Sequence, residues 1–292
     1  MIADINKIIT FENTDAHVHT HLCDGKPEMT VTNIAKAAKE CGLTQVILTP
    51  HFHKKVSDAS ATLYDDSDES IFKSLRDEIT ACDTDVKILL STEADILDAK
   101  GHTSADGFCN DTLNTLDAVT MTLNYHPLLP LKCVEVTYSK CIEDIYESGY
   151  YAECESGAGG TQRVLETMYE AQINAIKRAK FPVILGHFFA AHSNAVKTFS
   201  WFNAKKEYIN IMKECSSELV RVCADKGAVI DLAGIHPKNE TPTQKRERDG
   251  WFFDFQKWFV DYARQNGVTL TAGSDAHSLK HIGEVEYYKF FK

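Results

Sequence analysis

The chain has 292 residues, 43% of them hydrophobic and 25% charged, with a formal net charge of −11. This is ordinary soluble composition with enough length for a sizeable core, and the acidic balance argues against a general nucleic-acid surface. No apolar stretch approaches a membrane span, and Met1 to Thr10 lacks the cationic start and apolar run of a signal peptide. The nine cysteines include no Cys-x-x-Cys pair. They suggest neither a disulfide framework nor a zinc ribbon, and they fit a reducing, cytoplasmic setting.

The first informative stretch is Asp15-Ala16-His17-Val18-His19-Thr20. On an extended segment residues i and i+2 point the same way, so His17 and His19 can grip one metal ion together. Asp24-Gly25 then reads as a turn with a further oxygen ligand. A helix follows, capped by Thr30 or Thr32, with Ile34, Ala37, Ala38 and Cys41 at helical spacing and Gly42 as its stop.

Gln45–Thr49 is a buried-strand run leading into Pro50-His51-Phe52-His53, a second His-x-His at a second strand end. Residues 56–70 read as an acidic loop, and Ile71, Phe72, Leu75 and Ile79 mark an amphipathic helix. Val86–Leu90 is the third strand, with Glu93 just past it. Residues 98–112 read as loop. Ala118–Leu123 is the fourth strand, running to His126-Pro127, where the proline blocks a helical continuation.

Residues 131–180 read as an insertion or a long βα connection. Within them a glycine-rich stretch at 156–160 precedes a helix carrying Leu165, Met168, Tyr169, Ile173 and Ile176 on one face. Pro182–Gly186 is the fifth strand, ending in His187. A helix spans about 205–225, with Ile209, Met212, Leu219, Val222 and Cys223 inward. Ala228–Leu232 is the sixth strand, leading to His236. A charged loop, a helix with a core stripe of Phe255, Trp258, Phe259 and Tyr262, and a seventh strand over 268–271 close the series. That strand runs into Gly273-Ser274-Asp275-Ala276-His277.

Seven strands alternating with helices predict an α/β fold with a parallel sheet, closed into a single barrel domain over residues 1–292. Such barrels gather their site at the C-terminal strand ends. His17, His19, His51, His53, Glu93, His126, His187, His236, Asp275 and His277 all fall there, and eight of the twelve histidines are in that set. A converging ring of buried histidines needs a shared partner, for which metal ions are the natural choice.

Taken together, the Asp15–Thr20 motif, Thr49-Pro50-His51, Glu93, His126, His187 and Ser274-Asp275-Ala276-His277 resemble the four-motif signature of the polymerase-and-histidinol-phosphatase (PHP) family. The resemblance spans essentially the whole chain. It implies a distorted seven-stranded (β/α) barrel with two or three ions of zinc, manganese or iron, and phosphoester hydrolysis. In that scheme His17, His19, Glu93 and Asp275 bind one ion. Glu93 bridges to a second, held also by His126 and His187, and Asp24, His51 and His277 take a third. The chain departs from the pattern at Gly25, where many histidinol-phosphate phosphatases have histidine, and at Pro50, which replaces a common acidic residue.

Nitrogen and carboxylate ligands suit zinc, iron or manganese. A water shared between two such ions loses a proton near neutral pH and can attack phosphorus in line. Asp275 is the candidate to orient it, and His53 or His236 the candidate general acid. Lys54, Arg163 and Lys238 are candidate phosphate contacts. The expected activity is hydrolysis of a small phosphomonoester, with histidinol phosphate, a sugar phosphate or a nucleotide equally open. Phosphodiesterase or exonuclease action, protein-tyrosine phosphatase action and a non-catalytic metal-stabilised barrel stay as alternatives.

Overall fold

The structure is a computed structural model that describes residues 5, 9, 13–23, 25–52, 68–123, 161–189, 207–232 and 250–285. Nine parallel strand segments are present: β1 (Thr14–Val18), β2 (Gln45–Leu48), β3 (His51–Phe52), β4 (Lys87–Leu90), β5 (Glu93–Asp95), β6 (Val119–Thr122), β7 (Val183–Leu185), β8 (Val229–Asp231) and β9 (Leu270–Thr271). They form two sheets, ordered β1-β2-β4 and β3-β5-β6-β7-β8-β9.

The two sheets are one ladder with a break. β2 pairs β4 and β3 pairs β5, all parallel. Across the break, Thr49 N donates to Val18 O, Ser91 N to Leu48 O and Glu93 N to Pro50 O. Thr49-Pro50 and Ser91-Thr92 are thus interruptions within two long strands, and among the described residues the nine segments reduce to seven strands. The missing N–H of Pro50 is one reason for the interruption. The last strand returns to the first: Ala16 N donates to Ala272 O at 2.6 Å and His19 N to Ala276 O at 3.0 Å, with a parallel bridge between Val18 and Ala276.

The described α-helices are α1 (Val31–Glu40), α2 (Ser70–Ala81), α3 (Asn110–Thr115), α4 (Thr161–Arg178), α5 (Glu207–Lys226) and α6 (Trp251–Gln265). Thr30 caps α1, its side chain accepting the Asn33 N–H, and Gly42 ends it with φ of +76°. The buried face of α1 is Val31, Ile34, Ala35 and Ala38; Cys41, expected on that face, is exposed because it is the cap. In α6, Phe255 and Phe259 are core as expected, whereas Trp258 and Tyr262 stack on each other at 5.1 Å on the half-buried side.

Two further expectations change. The stretch read as loop over 98–112 contains a 3-10 turn (Ser104–Gly107) and the start of α3. Cys109 caps α3 by accepting the Thr112 N–H, a weak capping group that sequence pattern does not flag. Glu93, expected past a strand, begins one. Of the region read as an insertion, α4 is described and lies between β6 and β7 in chain order. The glycine-rich stretch at 156–160 and the loop at 56–67 lie outside the described residues.

Along the strands, alternate residues face the barrel interior. At the N-terminal end of the interior, Ala16, Ile47, Leu89, Ala118, Ile184 and Val229 form one apolar cluster with Ile5 and Ile9. Above it are hydroxyls: the side chains of Ser91 and Thr120 hydrogen-bond at 2.8 Å. The other strand face packs against the helices in the main core, which includes Val18, Val46, Leu48, Leu90, Met121, Ile230 and Leu270.

Candidate metal centre

β1 presents its histidines through an irregularity. Thr14 bonds the interior side chain of Gln45 at 3.1 Å, and Ala16 joins the interior cluster, whereas Val18 packs in the outer core. The face parity therefore changes between Ala16 and Val18, where the β1–β2 register shifts. Such a bulge re-aims side chains beside functional sites. Here it turns His17 and His19 into the interior. No feature of the sequence announces the bulge.

Glu93 is the centre of the arrangement. His17 Nε2 lies 3.2 Å and His51 Nε2 3.1 Å from its Oε2. His19 Nε2 is 3.6 Å from the same oxygen, and His187 Nε2 is 3.0 Å from Oε1. His19 Nε2 also meets Asp275 Oδ1 at 2.9 Å. The His19 ring stacks on His277 at 3.9 Å and meets His51 edge-on at 4.3 Å. Two groups have their ligand atoms mutually within 4.8 Å: His17, His19, Glu93 and Asp275, and His19, His51 and His277.

These residues fit a metal centre on donor chemistry. A neutral imidazole has one N–H, yet three Nε2 atoms crowd a single Glu93 oxygen in a buried site. A central cation lets the ring lone pairs and carboxylate oxygens all face one positive charge. The Nδ1 atoms of His17 and His187 are buried and lack a hydrogen bond, which leaves each ring's outward nitrogen open to a supporting acceptor.

Electrostatics favour the ligand form at His19, Glu93 and Asp275, whereas the surrounding carboxylates favour a protonated ring at His17 and raise His187 as well. Burial lowers His19 to about 3, assisted by His51 and His277, so its ring is neutral at ordinary pH. Burial also opposes charge on Glu93, but His51, His17 and His187 outweigh it and hold the carboxyl well below the usual range. For Asp275, burial is likewise overridden by the His19 hydrogen bond and the charges of His17 and His187. Its side chain is 42% exposed, so this carboxylate faces both the rings and solvent. Burial pulls His17 down, while Asp231 and Glu93 pull it further up, to well above the ordinary value.

Backbone strain marks the same places. His187 has φ of +26° and Asp275 φ of +55°, conformations costing roughly 1–3 kcal/mol each for residues other than glycine. The Asp275 turn is held by Asp15, whose carboxylate accepts the Ser274 and Gly283 N–H groups, each at 2.8 Å. Gly273 must be glycine because a Cβ there would run into His17. Gly25 has a similar reason: a Cβ would strike the Thr20 carbonyl, so the backbone packs too closely for the histidine of the family pattern.

Of the expected site residues, His17, His19, His51, Glu93, His187, Asp275 and His277 come together. Arg163 is engaged elsewhere: its guanidinium forks onto Glu170 at 2.8 and 2.9 Å along α4. Asp24, His53, Lys54, His126, His236 and Lys238 lie outside the described residues. Sequence reading missed Asp15 as a brace and missed Asp231 altogether. A carboxylate closing an otherwise apolar strand, as in Val229-Ile230-Asp231, was the signal available for the second.

Comparison with known proteins follows the same line. Residues 260–286 match the PHP-associated family. A search of curated protein sequences finds no relative. Among solved structures, the chain superposes on a Listeria monocytogenes protein described as a histidinol phosphatase, with TM-score 0.65 and 16% identity over 94% of this chain and 98% of that one. It also superposes on a histidinol phosphate phosphatase from Lactococcus lactis, complexed with zinc, L-histidinol and phosphate, with TM-score 0.53 and 13% identity over 97% and 93%. The chain has the parallel α/β barrel fold of these histidinol phosphatases, and its closing segment is PHP-like.

Proposed function

We propose that the chain is a metal-dependent phosphoric ester hydrolase acting on a small phosphomonoester. The observation that carries this reading is Glu93, a buried carboxylate shared by His17, His51 and His187, with His19 and Asp275 beside it. His17, His19, Glu93 and Asp275 would hold one ion, Glu93 with His187 a second, and His51 with His277 a third, with Asp24 and His126 as further ligands. When bound, zinc, manganese or iron supplies Lewis-acid activation of water and of phosphate oxygens.

The chain's own groups do the rest. Asp275 stays ionised and is open to solvent, so it can accept a hydrogen bond from the attacking water and orient it. Neutral His19 keeps a lone pair for coordination. His53 or His236 would protonate the leaving oxygen, and Lys54 and Lys238 would meet the substrate phosphate. Arg163, paired to Glu170, would have to leave that pair to do so. The Lactococcus neighbour's zinc, L-histidinol and phosphate support histidinol phosphate as one member of the substrate panel. Among the described residues no helix is long and apolar enough to cross a membrane, and the net charge of −11 weighs against nucleic acid as substrate. Cysteines scattered along the sequence with no Cys-x-x-Cys pair support a cytoplasmic placement.

The test is a panel of phosphate monoesters and diesters assayed with added zinc, manganese or iron. Monoester turnover that disappears in a His17→Ala, Glu93→Ala double variant is the expected result. Turnover surviving in that variant, or diesters preferred over every monoester, overturns the proposal.

A further inference from the structure

Asp231 belongs to neither group of candidate ligands, yet it touches one residue from each side of the centre. It ends β8 with its side chain fully buried. Its Oδ2 accepts the backbone N–H of His187 at 3.2 Å. The same oxygen lies 3.8 Å from Nδ1 of His17, on the far side of that ring from Glu93. At 3.8 Å the contact is electrostatic, longer than a hydrogen bond.

We propose that Asp231 is a positioning residue of the centre. It accepts Nδ1–H of His17, which leaves the Nε2 lone pair, on the Glu93 side of the ring, free to ligate an ion, and it fixes the backbone that carries His187.

Three observations carry this. His17 Nδ1 is buried, lacks a hydrogen bond, and has Asp231 as the carboxylate beside it. A histidine's ligating nitrogen is selected by the partner of its other nitrogen, and removal of such partners weakens metal binding by about 10–100-fold. His187 adopts φ of +26°, a conformation that needs external restraint. Its N–H bond to Asp231 supplies one. A single oxygen thus orients His17 and restrains His187, which sit 5.3 Å apart as stacked rings on opposite oxygens of Glu93.

The inference rests on the metal-centre reading above, and the test separates the two. Zn²⁺ is titrated into the full-length metal-free chain against a chromophoric chelator, for wild type, Asp231→Asn and Asp231→Ala, with circular dichroism to verify folding. The expected result is Zn²⁺ affinity weakened by about 10–100-fold in Asp231→Ala and by less in Asp231→Asn, whose amide oxygen can occupy the same position. A second measurement needs no variant at the position: nitrogen NMR of the Zn²⁺-loaded wild type, labelled at histidine. His17 should show a protonated Nδ1 and a ligating Nε2. Wild-type affinity in a folded Asp231→Ala, or the opposite tautomer at His17, overturns the role of Asp231 while leaving the metal centre standing. Wild type that takes up no Zn²⁺ removes both.

Discussion

At the N-terminal end of the barrel interior, Ala16, Ile47, Leu89, Ala118, Ile184 and Val229 close around Ile5 and Ile9. At the other end, a few residues further along the same strands, the interior holds His17, His51, Glu93, His187 and Asp231. Both ends are buried, so exposure does not separate them. Partner chemistry does. The apolar end is satisfied by packing alone. The polar end gathers acids and imidazoles whose mutual pairing leaves Nδ1 of His17 and of His187 without a hydrogen bond among the described residues, a cost that packing cannot remove. One end therefore stabilises the fold, and the other spends part of that stability on a ligand set.

The largest effect should come from the polar end. Glu93→Ala removes the one carboxylate common to three imidazoles. Lewis-acid stabilisation of several kcal/mol corresponds to about 10³-fold in rate. Phosphomonoester turnover should fall by at least that much, and metal content by elemental analysis should fall with it. A Glu93→Ala protein with normal metal content would break the comparison at its strongest point.

The converse variant is Ile184→Ala. Ile184 is fully buried in the apolar cluster, and truncating such a side chain costs roughly 2–5 kcal/mol. Denaturant unfolding should show that loss. Zn²⁺ stoichiometry of the folded protein should stay as in wild type, since Ile184 packs within the apolar cluster. Loss of metal at unchanged stability would mean that the two ends are not separable.

Asp15 lies at the seam between them, on the bulged strand. Burial pushes its carboxyl up from 3.8 to about 6, against the hydrogen bonds it accepts from Ser274 and Gly283. The native state therefore holds this proton more tightly than the unfolded chain. Asp15's contribution is favourable below about pH 4, declines as pH rises toward 6, and is fully unfavourable above that. A shift from 3.8 to about 6 is on the order of 3 kcal/mol at full ionisation. In metal-free protein, the stability of wild type relative to Asp15→Asn should fall by about that amount between pH 4 and pH 7. A difference flat with pH sinks this assignment. The ionised carboxylate is nonetheless kept because it grips the turn that carries Asp275.

The two ends also differ in how well the sequence reveals them. Strand and helix order was readable because Gln45–Leu48, Val183–Leu185 and Val229–Asp231 are short apolar runs between helices with clear periodicity. The ligands were readable because histidines recur at strand ends. What escaped was geometry set by backbone irregularity and long-range pairing. The bulge in β1 leaves no residue signature. Asp15 and Asp231 act through partners 259 and 44 residues away. Helix α3, with Asn110, Asp111, Asn114 and two threonines in six residues, has poor intrinsic propensity, and packing rather than pattern makes it helical.

The hydroxyl layer between the two ends gives the smallest and most discriminating prediction. Ser91 and Thr120 hydrogen-bond to each other at 2.8 Å, both fully buried. Thr120→Val keeps the volume and removes that partner of the Ser91 hydroxyl, at a cost of about 1–2 kcal/mol. Ser91→Ala should cost about the same. With both hydroxyls gone the layer becomes apolar, and a pair replaced by groups of like shape can be nearly neutral. The double variant should therefore be more stable than the sum of the single losses implies, with a coupling of roughly 2–3 kcal/mol in a double-mutant cycle. Thr120 is the cross-strand register partner of Glu93, yet the hydroxyl that is removed bonds Ser91, so metal content should be unchanged throughout. Strict additivity would mean that these hydroxyls act independently. Falling Zn²⁺ content would instead extend the polar end down into this layer.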